Sequence, residues 1–249
     1  MKIIAAIKVS AEAQDIEARP DRTLNFDRAQ SKIGAYDLNA VEAARQLADT
    51  VGGEVIGLSV GTSALANSKV RKDALSRGLD QLDVVASDEY ADLDSFQTAQ
   101  LLQSALQQTG YDLVLVGAGS SDVYAQQVGN QLGALLGVPT LNAVNKITPE
   151  GDHLVVERLL EDAVQVIEVP LPAVLSVTSG INTPRIAGMK EILAAGKKPV
   201  NELAAGAAPA GSAQAVSTLA PEQVSRQQNI VEGDPAEAAA QLAAYLKAL

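Results

Sequence analysis

The run Gly117-Ala118-Gly119-Ser120-Ser121 is the segment of this sequence best equipped to hold a ligand. Glycine lets the backbone approach a bound group closely. Amide N–H groups at the start of a helix, together with the helix dipole, hold an anion without any basic side chain. The two serines add hydroxyl donors. The run contains no Lys or Arg, so a phosphate placed here would rest on backbone and hydroxyls. The spacing is neither GxGxxG nor a Walker P-loop. The other reading is an ordinary glycine-rich turn from strand to helix, with Asp122 as the N-cap. Asp122 competes with a phosphate for the same amides unless it turns toward a ribose hydroxyl or the next turn.

Other candidates are fewer. Tyr36-Asp37 stands at a loop-to-helix junction that can reach the same crevice; a helix cap is the alternative. Gly129 and Gly133, four residues apart, would let the following helix press on the sheet or on a neighbour. Glu157-Arg158 and Glu161-Asp162 form a charged cluster, either paired carboxylates for acid–base work or a solvated strand edge. His153 sits alone beside a turn. Asn182 to Lys190 joins a turn to a short helix that presents Met189, the one methionine after Met1. Met suits surfaces that accept several partners, but it also fills cores. Lys197-Lys198-Pro199 closes that helix, with charges suited to a helix C-terminus.

Composition removes whole classes of function. The chain of 249 residues has no cysteine and one histidine. Thiolate catalysis, disulfides, iron–sulfur clusters and His-rich metal sites are thereby excluded. A net charge of −11 and a pI near 4.6 leave no basic face for nucleic acid. Residues 1–8 are too short an apolar run for a signal peptide, and no stretch approaches the ~20 apolar residues of a membrane span. The expected location is the cytoplasm. At 3% aromatic residues and no Trp, the core must be Ala, Val, Leu and Ile, which suits a parallel sheet covered by Ala-rich helices.

The elements that must position these residues alternate. Strands are expected at 3–7, 55–60, 82–86 and 113–116. Helices are expected at 37–50, with Asp37 as its cap and Gly52-Gly53 as its stop, at 63–76, after Asp94, and directly after the 117–121 loop. Residues 10–32 form a polar excursion. Repeated strand–helix–strand units imply a doubly wound, mostly parallel α/β sheet. Residues 142–147, 153–160 and 163–169 are β-branched and broken by Pro149-Glu150-Gly151, which reads as an antiparallel excursion returning to a core strand at 173–177. A nucleotide-binding α/β domain is thus expected over 1–202. Residues 203–249 are expected to be an uncharged linker (203–221) and an Ala-rich arm helix from Asp234-Pro235, with Leu242, Tyr245 and Leu246 on one side.

Four stretches together resemble the beta subunit of the electron transfer flavoproteins, in the branch associated with nitrogen fixation and carnitine-type reduction. They are Tyr36-Asp37-Leu38-Asn39-Ala40-Val41-Glu42-Ala43; Gly117-Ala118-Gly119-Ser120-Ser121-Asp122-Val123-Tyr124-Ala125-Gln126-Gln127-Val128-Gly129; Val156-Glu157-Arg158 with Leu171-Pro172-Ala173-Val174; and Asn182-Thr183-Pro184-Arg185 through Lys197-Lys198-Pro199. The resemblance covers residues 1 to about 202. It implies a Rossmann-like, adenine-nucleotide-hydrolase-like sheet and an electron carrier rather than an enzyme. It also implies a larger alpha subunit holding most of a redox-active FAD, an acyl-CoA-type dehydrogenase as donor and an oxidoreductase as acceptor. AMP, or a second FAD in electron-bifurcating members, would lie against Ala6, Gly34, Ala35, Tyr36, Asp37, Val60 and the run from Gly117 to Val128. A partner-docking loop falls on Pro184-Arg185-Ile186-Ala187-Gly188-Met189-Lys190-Glu191. A Tyr that nears the FAD in some members matches Ala13, and the acidic run after the glycine loop is reduced to Asp122. The arm would dock on the alpha subunit. A free-standing adenine-nucleotide-binding regulator of the stress-response type and an adenine-nucleotide hydrolase or ligase are the competing readings. The hydrolase reading lacks a nucleophile, base or metal cluster.

Overall fold

The most apolar runs become the innermost strands. The computed structural model describes residues 1–204, 206–211, 213–222, 224–225 and 228–248. Among them, nine strands form one sheet: β1 (Lys2–Ala6), β2 (Glu54–Gly61), β3 (Gln81–Ala86), β4 (Leu113–Gly117), β5 (Thr140–Glu150), β6 (His153–Leu159), β7 (Val164–Pro170), β8 (Ala173–Val177) and β9 (Val200–Glu202). Their spatial order is β7-β6-β5-β8-β4-β1-β2-β3-β9. β6 pairs antiparallel with both β5 and β7, and the remaining neighbours pair in parallel. The expected doubly wound sheet with its antiparallel excursion is therefore present.

Helices cover both faces, because buried strands alternate their side chains between two cores. Ile3, Ala5, Leu113 and Leu115 face α1 (Ala35–Val51) and α2 (Ser68–Ser76), and α5 (Met189–Ala195) joins this layer through Ala195. Ile4, Ala6, Val114 and Val116 face α3 (Ser95–Thr109) and α4 (Val128–Leu136). α3 opens on the expected Asp94, in a full capping box: Gln97 N donates to Asp94 Oδ1 (2.7 Å) and Asp94 N to Gln97 Oε1 (2.9 Å).

Several elements depart from expectation. The helix expected over 63–76 is broken: a 3₁₀ turn ends at Ala66, and Asn67, extended at ψ 118°, starts α2 by accepting from Lys69 N. α1 begins at Ala35 with Gly34 as N-cap, so Asp37 sits inside the first turn rather than capping it. α4 does not follow the 117–121 loop; it starts at Val128, and ten residues intervene after Gly117. Lys198 serves α2 instead of its own helix, donating to Leu75 O (2.9 Å) and Leu79 O (2.5 Å).

The domain boundary also moves. The unit that contains the sheet comprises Met1–Glu17 and Asn25–Ser217. Residues 203–217, expected to leave the domain, belong to it: Leu203 N continues the β9 ladder to Val84 O (2.9 Å), Gln97 Nε2 donates to Pro209 O (2.7 Å), and Ala213 N donates to Asp94 Oδ2 (3.0 Å). Small apolar side chains such as Ala208 let this stretch lie against the partly open core beside α3. The second unit comprises Ala18–Leu24 and Thr218–Leu249. Within it Arg22 donates from Nε to Ala220 O (2.9 Å) and pairs with Glu222 (2.7 Å). Its α6 (Pro235–Ala248) starts on Asp234, whose Oδ1 accepts from Ala236 N, and leaves Leu242, Tyr245 and Leu246 exposed. Ala205, Ser212, Gln223, Arg226, Gln227 and Leu249 of the expected arm lie outside the described residues.

Candidate functional site

From β1 the chain adds β2 and β3 on one side, then crosses to place β4 on the other. The sheet order therefore reverses between β1 and β4, and ligands of open α/β sheets bind beyond the carboxyl ends of strands at such a point. Ala6 ends β1, paired with Leu58 and Val116; Gly117 ends β4; Val60 stands near the end of β2. The N-terminus of α1, with Gly34, Ala35, Tyr36 and Asp37, comes up beside them.

Asp37 ties the junction together. Its side chain is buried and accepts from Lys8 N (2.7 Å), and the Gly117 amide also bonds to it. One carboxylate thus fastens the ends of β1 and β4 to the first turn of α1. Burial pushes its pKa up to about 7, against the pull of those two amides. A β-carbon at Gly117 would fall 2.8 Å from both the carbonyl carbon and Cβ of Tyr36 and would overlap the Asp37 carboxylate. Gly117 is thus required by internal packing.

The loop after β4 folds over this junction. Its residues from Ser121 to Gln127 are exposed. Asp122 meets the Lys8 ammonium at 2.6 and 2.8 Å, Ser121 and Ser10 hydroxyls bond at 3.1 Å, and the Tyr36 and Tyr124 hydroxyls at 3.3 Å. The two tyrosine rings are 5.9 Å apart, and their hydroxyl contact raises the Tyr36 pKa. Tyr124 and Gln126 adopt left-handed φ of 49° and 56°. This costly geometry for residues with side chains is what delays α4. Gly119 lies under the Tyr124 ring, where a β-carbon would meet Cδ2 at 2.5 Å. Asp122 caps no helix; it turns to Lys8 and to Val123 N. Gly129 and Gly133 serve packing: a β-carbon at Gly129 would lie 2.7 Å from Val116 Cγ2, and one at Gly133 would overlap Thr140.

Residues 182–191 form a second feature. Asn39 Nδ2 donates to Asn182 O (2.9 Å), and Asn182 Nδ2 returns a bond to Asn39 O (3.0 Å). Arg185 grips Glu42 through Nε (2.6 Å) and Nη2 (3.1 Å). Burial raises the Glu42 pKa, but the Arg185 bonds outweigh it and hold the carboxyl below its usual value. Beyond this pinned start, Ile186 is 93% and Met189 75% exposed, so Met189 is not a core residue.

Lys8, Ser10, Asn39 and Glu42 are not marked as functional by residue type or spacing, although their partners Asp37, Ser121, Asp122, Asn182 and Arg185 are. A lysine directly after an apolar strand that ends at a reversal point is the signal that could have marked Lys8. The charged cluster does not assemble a paired-carboxylate site: Glu157 pairs with Lys146 (2.6 Å), Arg158 bonds Asn142, and Glu161 and Asp162 are exposed. The His153 ring bonds its sequence neighbour Asp152 at 3.2 Å. Among the described residues no group of His, Cys, Asp and Glu could hold a metal ion, and no helix is long and apolar enough to cross a membrane.

The half-exposed Gly–Ser run and the exposed residues after it thus gather serine hydroxyls, two tyrosine rings and one lysine ammonium at the reversal point. A comparison with known families gives the sheet its identity. The model of the electron transfer flavoprotein domain matches residues 23–208, most of the chain, including the α1 N-terminus, the loop after β4 and residues 182–191. Proteins of that family are flavin-associated electron carriers rather than conventional enzymes and work with a partner subunit and dehydrogenases. The free-standing regulator is accordingly not favoured. On its fold and on this match, the chain belongs to the electron transfer flavoprotein domain family.

Proposed function

We propose that this chain is the beta subunit of a heterodimeric electron transfer flavoprotein, with AMP or a second FAD held at the β1–β4 reversal point. The observation that carries the reading is the Gly117–Val128 loop. In a chain of this family it lies over the carboxyl ends of β1 and β4 with Ser120 and Ser121 beside exposed backbone. In this reading Gly34 to Asp37 contact the nucleotide from the α1 side, and Ala6 and Val60, at the ends of β1 and β2, lie beneath it. When bound, a flavin supplies one- and two-electron redox chemistry. The chain's own residues hold the adenylate part, orient it through the α1 N-terminus, and keep water from the strand ends through the tyrosine pair.

Exposed apolar side chains support the partner roles that the resemblance implies. Ile186 and Met189, exposed next to the pinned Arg185, form the docking element for an acyl-CoA-type dehydrogenase. α6 serves as the arm toward the alpha subunit, with which the chain shares the redox-active FAD. The assembled pair relays electrons to an acceptor oxidoreductase in the cytoplasm, and a second FAD in this chain would make bifurcation possible. Co-expression with the gene product encoded beside it tests the reading. A yellow 1:1 complex that releases FAD together with AMP, or a second FAD, on denaturation supports it. A colourless chain that purifies alone without nucleotide overturns it.

A further inference from the structure

The residues expected to bind the nucleotide contain no cation, yet the structure brings one to them. Lys8 follows β1, its amide is fixed by the buried Asp37 (2.7 Å), and its ammonium crosses the reversal point to both oxygens of Asp122 (2.6 and 2.8 Å). The partners are 114 residues apart in sequence, so the pair belongs to the closed site and to no local turn. Both side chains stay about 40% exposed, at 44% and 39%. The Ser10–Ser121 contact runs alongside (3.1 Å). Together these two bonds fasten the loop to the segment after β1.

A phosphate entering here meets one positive charge that is already engaged and one exposed carboxylate that repels it. The two anions compete for the same ammonium. We propose that Lys8 recognises the nucleotide's phosphate and that Asp122 is its stand-in, a carboxylate latch that the phosphate displaces as the loop rearranges around it. This rests on the nucleotide-site reading above and deepens it. The crevice is thereby selective for nucleotides over the corresponding uncharged nucleosides, because only a charged ligand can replace the latch.

The test uses the full chain in its purified complex, stripped of nucleotide, with AMP and adenosine as probes in titration calorimetry. If the complex carries FAD instead, FAD and riboflavin take their places. Asp122→Asn removes the competing charge, so AMP should bind about three- to tenfold tighter, the scale of one partly exposed charge interaction. Adenosine affinity should stay unchanged. Lys8→Gln should weaken AMP by a similar factor and bring its affinity close to that of adenosine. In the Lys8→Gln background, Asp122→Asn should no longer tighten AMP, the non-additivity expected of residues that act on one another. Melting curves of each variant establish that the fold is retained. Looser AMP binding in Asp122→Asn, or an undiminished preference for AMP in Lys8→Gln, overturns the latch while leaving the site reading intact. A wild-type complex that binds none of the four probes overturns the site reading, and the latch with it.

Discussion

Gly117→Ala is the sharpest test of how this site is built. The new methyl would sit 2.8 Å from the Tyr36 carbonyl carbon and inside the Asp37 carboxylate. Neither is the free end of a flexible side chain. Tyr36 contributes helix backbone, and Asp37 is buried and bonded to two strand ends. Overpacking of this kind costs about 1–3 kcal/mol. Moving Asp37 also loosens charge-assisted bonds, which are worth about 1.5–3 kcal/mol each. A loss of about 3–5 kcal/mol is expected, a large part of the ~5–15 kcal/mol that holds a domain together. For a chain of this length each kcal/mol lowers Tm by roughly 2–4 °C. Gly206→Ala is the control, because a β-carbon there meets nothing within 4 Å, and its change should stay within about 0.5 kcal/mol. Thermal and urea unfolding of both variants provide the comparison. If Gly117→Ala melts with the control, the close approach of β4 to α1 does not hold the junction, and the role given to Asp37 fails.

Asp37→Asn should change the pH dependence of stability: the raised carboxyl of the wild type makes stability fall as pH climbs from about 4 to about 7, by at most ~1.4 kcal/mol per unit, and urea midpoints of the variant should lack that decline. Arg185→Ala leaves Glu42 buried without its guanidinium and should cost about 1–3 kcal/mol, with faster hydrogen exchange over residues 178–188; unchanged exchange there would show that Glu42 does not pin the segment. Met189→Ala, at an exposed position, should leave Tm within about 1 °C while slowing electron transfer from the cognate dehydrogenase; unchanged transfer would overturn the docking role. Truncation after Ser217 removes the end of the second unit and should leave the sheet domain's melting transition in place, whereas loss of that transition would mean that the two units fold as one.

Much of this architecture was readable because local and global preferences agree. Ile3-Ile4-Ala5-Ala6 and Leu113-Val114-Leu115-Val116 are apolar on both faces, as strands covered twice must be. Asp94 with Gln97 three residues later is a complete local instruction for a helix start. The Pro149-Glu150-Gly151 signal placed the hairpin, although β5 continues through Glu150 and the turn is made by Gly151 at φ 63°. Asn67 is also a local signal, a strong cap lying inside the helix expected over 63–76. What was not readable depends on partners far away in sequence. The loop after Gly117 looks like the start of a helix until Lys8 draws Asp122 away and Tyr124 and Gln126 turn left-handed. Asp37 reads as a cap until Lys8 and Gly117 amides arrive from two strands. Residues 203–217 lack charge and look like a tether, yet Asp94 and Gln97, more than 100 residues earlier, supply bonds that hold them.

The central claim is that the crevice between β1 and β4 holds the nucleotide, and hydrogen exchange on the purified complex addresses it most directly. Exchange is compared between the stripped complex and the same complex refilled with the nucleotide it was purified with. The account predicts slower exchange in peptides covering residues 34–37 and 117–128, with peptides from the β6–β7 hairpin unaffected. Protection confined to other parts of this chain, or no change over 117–128 at saturating nucleotide, would contradict it.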